Sequence, residues 1–135
     1  MLMTEKEITR IVNDNNSLYK IEKVYNQDSL SVAKVLNEKG KICKAVFYDE
    51  KARVSNMSVY NADTGKEIKN ITYKSDGKTV SSVRIYNEKN NKIERVAFYK
   101  ADGKHISSMV LYDETGRESQ CIMFCDDGEI IKFSL

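Results

Sequence analysis

Short runs rich in β-branched and aromatic residues alternate with polar segments along most of this chain. From residue 54 onward each run of six to eight residues is followed by a polar segment such as SDGK (75–78). A fixed period is read before any other motif, because it dictates the architecture. Here the period is twenty-six residues, marked by tyrosines thirteen apart at Tyr60, Tyr73, Tyr86, Tyr99 and Tyr112. The pattern predicts a mainly β fold, an antiparallel meander of about eight or nine strands built from 26-residue hairpin repeats.

The polar segments indicate how the strands are joined. DTGK (63–66) and ADGK (101–104) suit three-residue hairpin loops with glycine in the left-handed region. Asn91 of KNNK stands where Gly65 stands, and asparagine tolerates that conformation better than most residues. The chain has no proline, which fits a continuous ladder of hydrogen bonds.

Loops of equal length predict that residues of equal parity share a face across residues 54–125. The odd face, with Ile71, Tyr73 and Tyr99, is the more apolar and is the expected core. The even face is half polar, which fits contact with solvent or with a partner. Its tyrosines are explained either as strand residues that pack across the sheet or as a binding surface, since tyrosine is enriched in interfaces. The candidate interaction face consists of Tyr60, Tyr86, Tyr112, Arg84 and Phe98.

The N-terminal third is less regular. Residues 4–13 predict a short helix, because Thr4 and Glu7 have capping-box spacing and Ile8, Ile11 and Val12 form one stripe. Residues 18–53 are interpreted as diverged repeats with shortened turns, and 54–128 as the regular repeats. We expect one domain over 1–135. One short helix cannot cover so many strands, so the sheet either curls into a barrel-like or half-barrel shape around the helix, stays a broad single layer, or is covered by a second chain. We favour strong curling, because twist accumulates over many strands.

Composition excludes several classes of function. A formal net charge of +2 is too balanced for a nucleic-acid or membrane-surface protein. Three cysteines and one histidine, widely scattered, do not supply the four ligands of a structural zinc site. His105 has no evident catalytic partner, and Asp76, Asp102 and Asp127 are turn residues that favour bonds to their own backbone over calcium. We therefore expect no metal, no cofactor and no enzymatic activity.

The first residues, MLMTEKEITRIV, contain no long apolar run, so we expect neither a signal peptide nor a membrane-spanning helix. A cytoplasmic location follows as an expectation. Secretion through a non-cleaved signal stays open.

YNADTGKEIKNITYKSDGKTV and YKADGKHISSMVLYDETGR resemble a Tyr/Gly repeat family known from phytoplasmas and other mollicutes, whose function is unassigned. The resemblance covers about residues 36–128. More distantly, the repeats are similar to the YD repeats of bacterial shell-forming toxins and to MORN-like repeats of proteins described as antitoxins. No catalytic residue is implied by any of these resemblances.

Together these observations favour a non-enzymatic β-repeat module that contacts another protein or a second copy of itself. An immunity or antitoxin-like protein of a bacterium is the most concrete version of this hypothesis. The alternative is a secreted effector, or a surface-acting repeat protein, of a host-associated bacterium.

Overall fold

The fold is a single antiparallel sheet in which every strand pairs with its sequence neighbours. A computed structural model describes the backbone of residues 4–12 and 18–135 and the side chains from residue 19 onward. The strand order follows the chain from the first strand to the last, as the repeat pattern predicts. The strands are β1 Thr4–Val12, β2 Leu18–Asn26, β3 Ser29–Leu36, β4 Ile42–Tyr48, β5 Val54–Tyr60, β6 Glu67–Tyr73, β7 Val80–Tyr86, β8 Ile93–Tyr99, β9 Ile106–Tyr112, β10 Glu118–Phe124 and β11 Ile130–Ser134.

The predicted helix over 4–13 is wrong. Residues 4–12 form β1, which pairs with β2 from Thr4↔Asn26 to Val12↔Leu18; residue 13 lies outside the described residues. Three apolar residues are too few to dock a short helix, whereas β2 offers backbone partners along its whole length. The β-branched residues of the segment also favour a strand. The described residues contain no helix, so none spans a membrane.

The sheet has eleven strands instead of the expected eight or nine, because β1 and β11 were not anticipated. It is open: in the part of the chain that the structure describes, β1 and β11 end the strand order and do not pair with each other. The expected wrapping around a helix is therefore absent from these residues. How strongly the sheet curls stays a prediction.

The hairpin loops are longer than the predicted three residues. Six residues, 74–79, lie between β6 and β7, and five residues, 113–117, lie between β9 and β10. Most hairpins carry a β-bulge just after the loop, where the tyrosine ending one strand faces the first residue of the next. The turns before β4 and β5 also have five residues, one fewer than the turn between β6 and β7, and the division into diverged and regular repeats stays a prediction. Asn91 has φ 62°, as its alignment with the turn glycines predicts.

Loop length decides which residues share a face. Across β5 to β9 equal parity is kept, with Met57↔Ile71 and Val83↔Ala97 opposite each other. The five-residue loop before β10 reverses parity, so that Ile122 pairs with Met109. The prediction that equal parity holds through residue 125 is therefore wrong for β10, where Cys121 and Met123 lie on the same face as Val110.

One face carries an unbroken apolar stripe, and we call it the stripe face. Residues opposite each other in antiparallel strands point to the same side, so the register defines the stripe directly. It crosses eight strands, β3 to β10, through Ala33, Val46, Met57, Ile71, Val83, Ala97, Met109 and Ile122. We call the opposite side the tyrosine-row face, because Tyr60, Tyr86 and Tyr112 lie on it.

The sheet forms a single layer over its described residues, since each strand contacts only the strands next to it. No described side chain reaches complete burial, and the least exposed apolar residues are mostly alanines: Ala33, Ala45, Val96 and Ala97. The expectation of a covered core on the odd face is thus not met within the described residues. Neighbours in the sheet bury Ala33 and Ala97 and half-bury the rest of the apolar stripe, and none of the described residues forms a second layer above it.

Successive turns on the same side of the sheet contact one another. The Nζ atom of Lys100 lies 2.6 Å from Oδ1 of Asp126, which belongs to the next turn on that side. Lys74 Nζ likewise donates to the carbonyl oxygen of Ala101 at 3.3 Å. These lysines link units about twenty-six residues apart. They give the repeat a second set of contacts besides the strand ladder.

Candidate functional site

Three residues of the candidate interaction face form a row at one end of the sheet. Tyr60, Tyr86 and Tyr112 end β5, β7 and β9, and the register places all three on the tyrosine-row face. Alternate strands are about 9.6 Å apart, which is twice the usual strand spacing. Tyr73 and Tyr99 end the intervening strands at the opposite end, and they lie on the stripe face. The predicted division of the tyrosines between the two faces therefore holds.

Tyr86 is held by charged neighbours. Its hydroxyl interacts with the side chains of Glu67 and Arg84, one from the adjacent strand and one from its own. Partial burial raises the pKa of the Tyr86 hydroxyl, with the negative charge of Glu67 as a further cause. The hydroxyl of Tyr86 therefore has charged neighbours within the chain, and its ring is the part of the side chain that can contact a partner.

The fourth and fifth candidates differ in position. Arg84 is exposed and lies two residues from Tyr86 on the same face. Phe98 pairs with Ser82, so it lies toward the other end of the strands and does not join the tyrosine row. It is 42% exposed, which is unusual for phenylalanine in the middle of a sheet.

An exposed apolar group accompanies Phe98 on the tyrosine-row face. Phe98, Ser108, Met123 and Ile131 lie opposite one another in successive strands, and Phe133 pairs with Cys121 beside them. Met123 is 44% exposed, and Ile131 and Phe133 are each 43% exposed. Met123, Ile131 and Phe133 are therefore neighbours, and Phe98 lies on the other side of Ser108. Groups of exposed apolar residues mark contact surfaces more reliably than single ones do.

This group was missed at the level of sequence because the parity rule placed Met123 on the other face and strands were not expected beyond residue 128. The signal was present: the segment between Tyr112 and Glu118 is one residue shorter than the segments after Tyr60 and Tyr86. A one-residue change moves every following side chain to the opposite face.

Polar contacts lie in the middle of this face. Ser58 is buried at 3% exposure and accepts a hydrogen bond from Asn70 Nδ2 at 2.9 Å. Asn70 lies opposite Arg84 in the register of β6 and β7. The centre of the tyrosine-row face is thus polar and internally bonded, with the tyrosine row on one side and Phe98 on the other.

The turn residues weighed for chemistry make local bonds. Asp102 Oδ1 accepts the backbone N–H groups of Lys104 and His105, and Asp102 Oδ2 lies 2.5 Å from His105 Nδ1. These bonds hold the pKa of Asp102 well below its usual range, the His105 side-chain bond being the largest cause. In the preceding turn on the same side of the sheet, the hydroxyl of Thr79 donates the equivalent side-chain hydrogen bond to Asp76 Oδ2. The His105–Asp102 pair therefore occupies a structural position of the repeat.

Asp127 shows the same local bonding, accepting the N–H of Glu129 at 2.9 Å. Among the described residues no three His, Cys, Asp or Glu side chains cluster as metal ligands. Cys43, Cys121 and Cys125 are free thiols.

Comparison with known proteins finds one family model that matches part of the chain and several solved structures that contain a similar fold. The sequence model of a family described as a protein of unknown function (DUF2963) matches residues 47–96, from the end of β4 into β8. No curated protein matches the chain.

Solved structures similar to this chain include TarM, with a TM-score of 0.57, 13% identity and 83% of this chain covered. A GtfA/B complex bound to UDP and GlcNAc gives a TM-score of 0.51 at 14% identity over 96% of this chain. S. aureus TarM, in complex with fondaparinux, α-GlcNAc-glycerol and UDP, gives 0.52 at 12% identity over 93%. The chain spans only 21–24% of the length of these three structures.

These similarities correct one prediction. The lack of a catalytic motif led us to expect a protein that is not an enzyme, but sheets of this shape occur within glycosyltransferase chains. The fold is therefore not a mark of non-enzymatic proteins. At such low identity the similarity concerns the fold alone.

Proposed function

We propose that this chain is a β-repeat protein-interaction module that binds a protein partner through its tyrosine-row face. The observation that carries the proposal is the exposed apolar line of Phe98, Met123 and Ile131 on the same face as the tyrosine row. Aromatic and methionine side chains are enriched in the cores of interfaces.

The surroundings of this line support a protein as the ligand. Glu67 and Glu94 lie beside the tyrosine row, and Arg84 lies two residues inward from Tyr86, so this face carries both signs of charge, which suits a partner of mixed charge. A nucleic acid or an anionic lipid would favour a single positive sign. Tyr112 lines a groove with Ile93, Glu94 and Asp113, so one tyrosine of the row borders a concave surface.

More specific versions of the proposal concern kinship and setting. We propose that the repeats are related to the Tyr/Gly family of mollicutes, and that the protein acts in a bacterial cytoplasm beside an immunity-type partner. In the alternative version, this protein is a secreted effector that binds a host protein through the same face. The gene next to this one distinguishes the two versions, since a toxin supports the first and a secretion operon supports the second.

Affinity capture with matched variants tests the proposal. The wild-type chain, Phe98→Asp and the control Lys39→Asp, at an exposed turn position outside both faces, are each used as bait in a lysate of the source organism, and captured proteins are quantified by mass spectrometry. We expect at least one protein retained by wild type and by Lys39→Asp but lost with Phe98→Asp. The captured protein is then purified and its binding to all three baits is measured directly. Equal binding to wild type and Phe98→Asp would refute the proposed face.

A further inference from the structure

The stripe face is bordered by two chemically different margins. On one side of the apolar stripe the register aligns Val35, Lys44, Val59, Lys69, Ile85, Arg95, Leu111 and Gln120. Aliphatic side chains therefore stand on β3, β5, β7 and β9, while long basic ones stand on β4, β6 and β8. We call this line the basic margin.

The opposite border of the stripe face carries aromatic residues on the same strands. Tyr48, Tyr73 and Tyr99 end β4, β6 and β8, and Phe124 ends β10. Each lies two residues beyond the apolar stripe, so its side chain is on the stripe face. We call this line the aromatic margin. Each of β4, β6 and β8 thus carries a cation at one border and a tyrosine at the other.

Charge on the stripe face has one sign. Outside the bulges, the strand residues of β3 to β10 that point to this face include three cations, Lys44, Lys69 and Arg95, and no carboxylate. Lys44 and Arg95 are exposed. The acidic strand residues of this region, such as Glu67 and Glu94, accompany the bulges opposite Tyr60 and Tyr86 on the other face. A partner for the stripe face must therefore place groups that attract cations opposite Lys44, Lys69 and Arg95, and must not place its own cations there.

We propose that the stripe face packs against the stripe face of a second copy of this chain, related by a two-fold axis along the apolar stripe. Such an axis keeps each strand over its counterpart and exchanges the two borders. Lys69 then meets Tyr73 of the second copy, and Arg95 meets Tyr99 of the second copy, while apolar stripe lies on apolar stripe. Cations over tyrosine rings attract each other, most strongly where water is excluded.

The size of the face agrees with this arrangement. Eight strands at about 4.8 Å and about seven residues at about 3.3 Å give roughly 900 Å² per copy, a little above the about 800 Å² that one partner contributes to a standard stable interface. Two twisted sheets pack face to face with their strands within about 30° of each other, which the central strands accommodate best. The two-fold symmetry closes the assembly at two copies, as in most soluble homo-oligomers.

Oligomeric state tests this arrangement with matched variants of the full chain. We expect the wild type to sediment as a dimer at micromolar concentration, and Ile71→Asp to sediment as a monomer. Thr72→Asp, the next residue on the opposite face, should stay dimeric. Because Ile71→Asp also endangers folding, Arg95→Glu provides a second variant at an exposed position, and we expect at least a tenfold weaker dimer. A wild-type monomer at 100 µM, or a dimer equally insensitive to Ile71→Asp and Arg95→Glu, would overturn the proposal.

Cross-linking distinguishes face-to-face packing from pairing of edge strands. Serine replaces Cys43, Cys121 and Cys125, and a single cysteine is introduced at Ile71 or, as a control, at Thr72. We expect a short bis-maleimide to link Ile71→Cys chains into covalent dimers and to leave Thr72→Cys chains single. Failure of Ile71→Cys to link in a chain that sediments as a dimer would assign the dimer to another surface and overturn the proposal.

Discussion

Gly103 lies directly against Thr79 of the preceding turn on the same side of the sheet. A Cβ atom on Gly103 would stand 2.7 Å from Thr79 Cγ2 and 3.0 Å from the backbone nitrogen of Val80. Real Cβ atoms essentially never approach so closely, so the contact between successive turns requires glycine here. Gly103 also has φ +69°, whereas Gly65 has φ +75° with open space around it. Both glycines have a left-handed φ, but only Gly103 is also crowded by a neighbouring turn.

Substitution of each glycine by alanine should separate the energetic cost of backbone strain, which both share, from the cost of steric crowding, which only Gly103 has. A side chain in the left-handed region costs about 1–2 kcal/mol at either position. Gly103→Ala should cost roughly 1 kcal/mol more than Gly65→Ala, because it also overpacks the turn against Thr79. Chemical denaturation of both variants measures the difference. Thr79→Ser removes Cγ2 and keeps the hydroxyl, so it should restore part of the stability lost by Gly103→Ala, whereas no restoration would contradict the contact.

A second prediction concerns the stability of the fold at acidic pH. The pKa of Asp76 is lowered from 3.8 to about 2, first by the hydroxyl of Thr79 and then by backbone N–H groups of the turn. A carboxyl with a lowered pKa in the folded state stabilises the fold above its unfolded pKa. That contribution is lost as pH falls through the folded value, so the window is about pH 4 to 2.

Asp76→Asn should therefore destabilise the protein at pH 7, and the difference from wild type should shrink as pH approaches 2. Denaturation midpoints of both proteins at several pH values give the measurement. Asp63→Asn serves as the control, since the Asp63 side chain accepts none of the turn hydrogen bonds that Asp76 accepts. A penalty for Asp76→Asn that stays constant from pH 7 to pH 2 would refute the titration argument.

The sequence predicts the ladder well because the ladder is local. Tyrosines thirteen apart end β5 to β9, and Asn91 replaces a turn glycine as its alignment predicts. Prediction from the sequence fails where the structure depends on the exact length of a loop or on a pairing partner elsewhere in the chain. One residue fewer after Tyr112 moved Met123 to the tyrosine-row face, and the unpaired edge of β2 took up residues 4–12 as a strand. What covers the apolar stripe is not encoded in any local pattern, since an apolar face looks the same whether or not a second layer exists.

The two proposals predict opposite effects for two tyrosines of neighbouring strands. Tyr99 belongs to the aromatic margin of the stripe face, and Tyr86 belongs to the tyrosine row. Tyr99→Ala should weaken the dimer and lower a melting temperature that depends on protein concentration. Tyr86→Ala should leave the dimer intact and weaken capture of the partner, where an interface tyrosine commonly contributes about 2 kcal/mol. Sedimentation and capture are measured on both variants, and loss of the same property in both would contradict the assignment of two separate surfaces.

The last prediction follows from the single-layer architecture. Each described strand contacts only its neighbours, so stability is a sum of strand-pair contributions, as in repeat proteins. Inner strands such as β7 are paired on both sides, whereas β11 pairs only with β10 and is exposed at all five of its residues. We expect amide hydrogen exchange to be slowest in β6 to β8 and fastest in β11, with a graded change between them. Mass spectrometry of peptides along the chain measures the gradient. Ile131→Thr should speed exchange in β11 and β10 and leave β6 to β8 unchanged, because the loss passes only to the adjacent strand. Uniform exchange in all strands, or a uniform response to Ile131→Thr, would instead mean that the sheet opens as one cooperative unit.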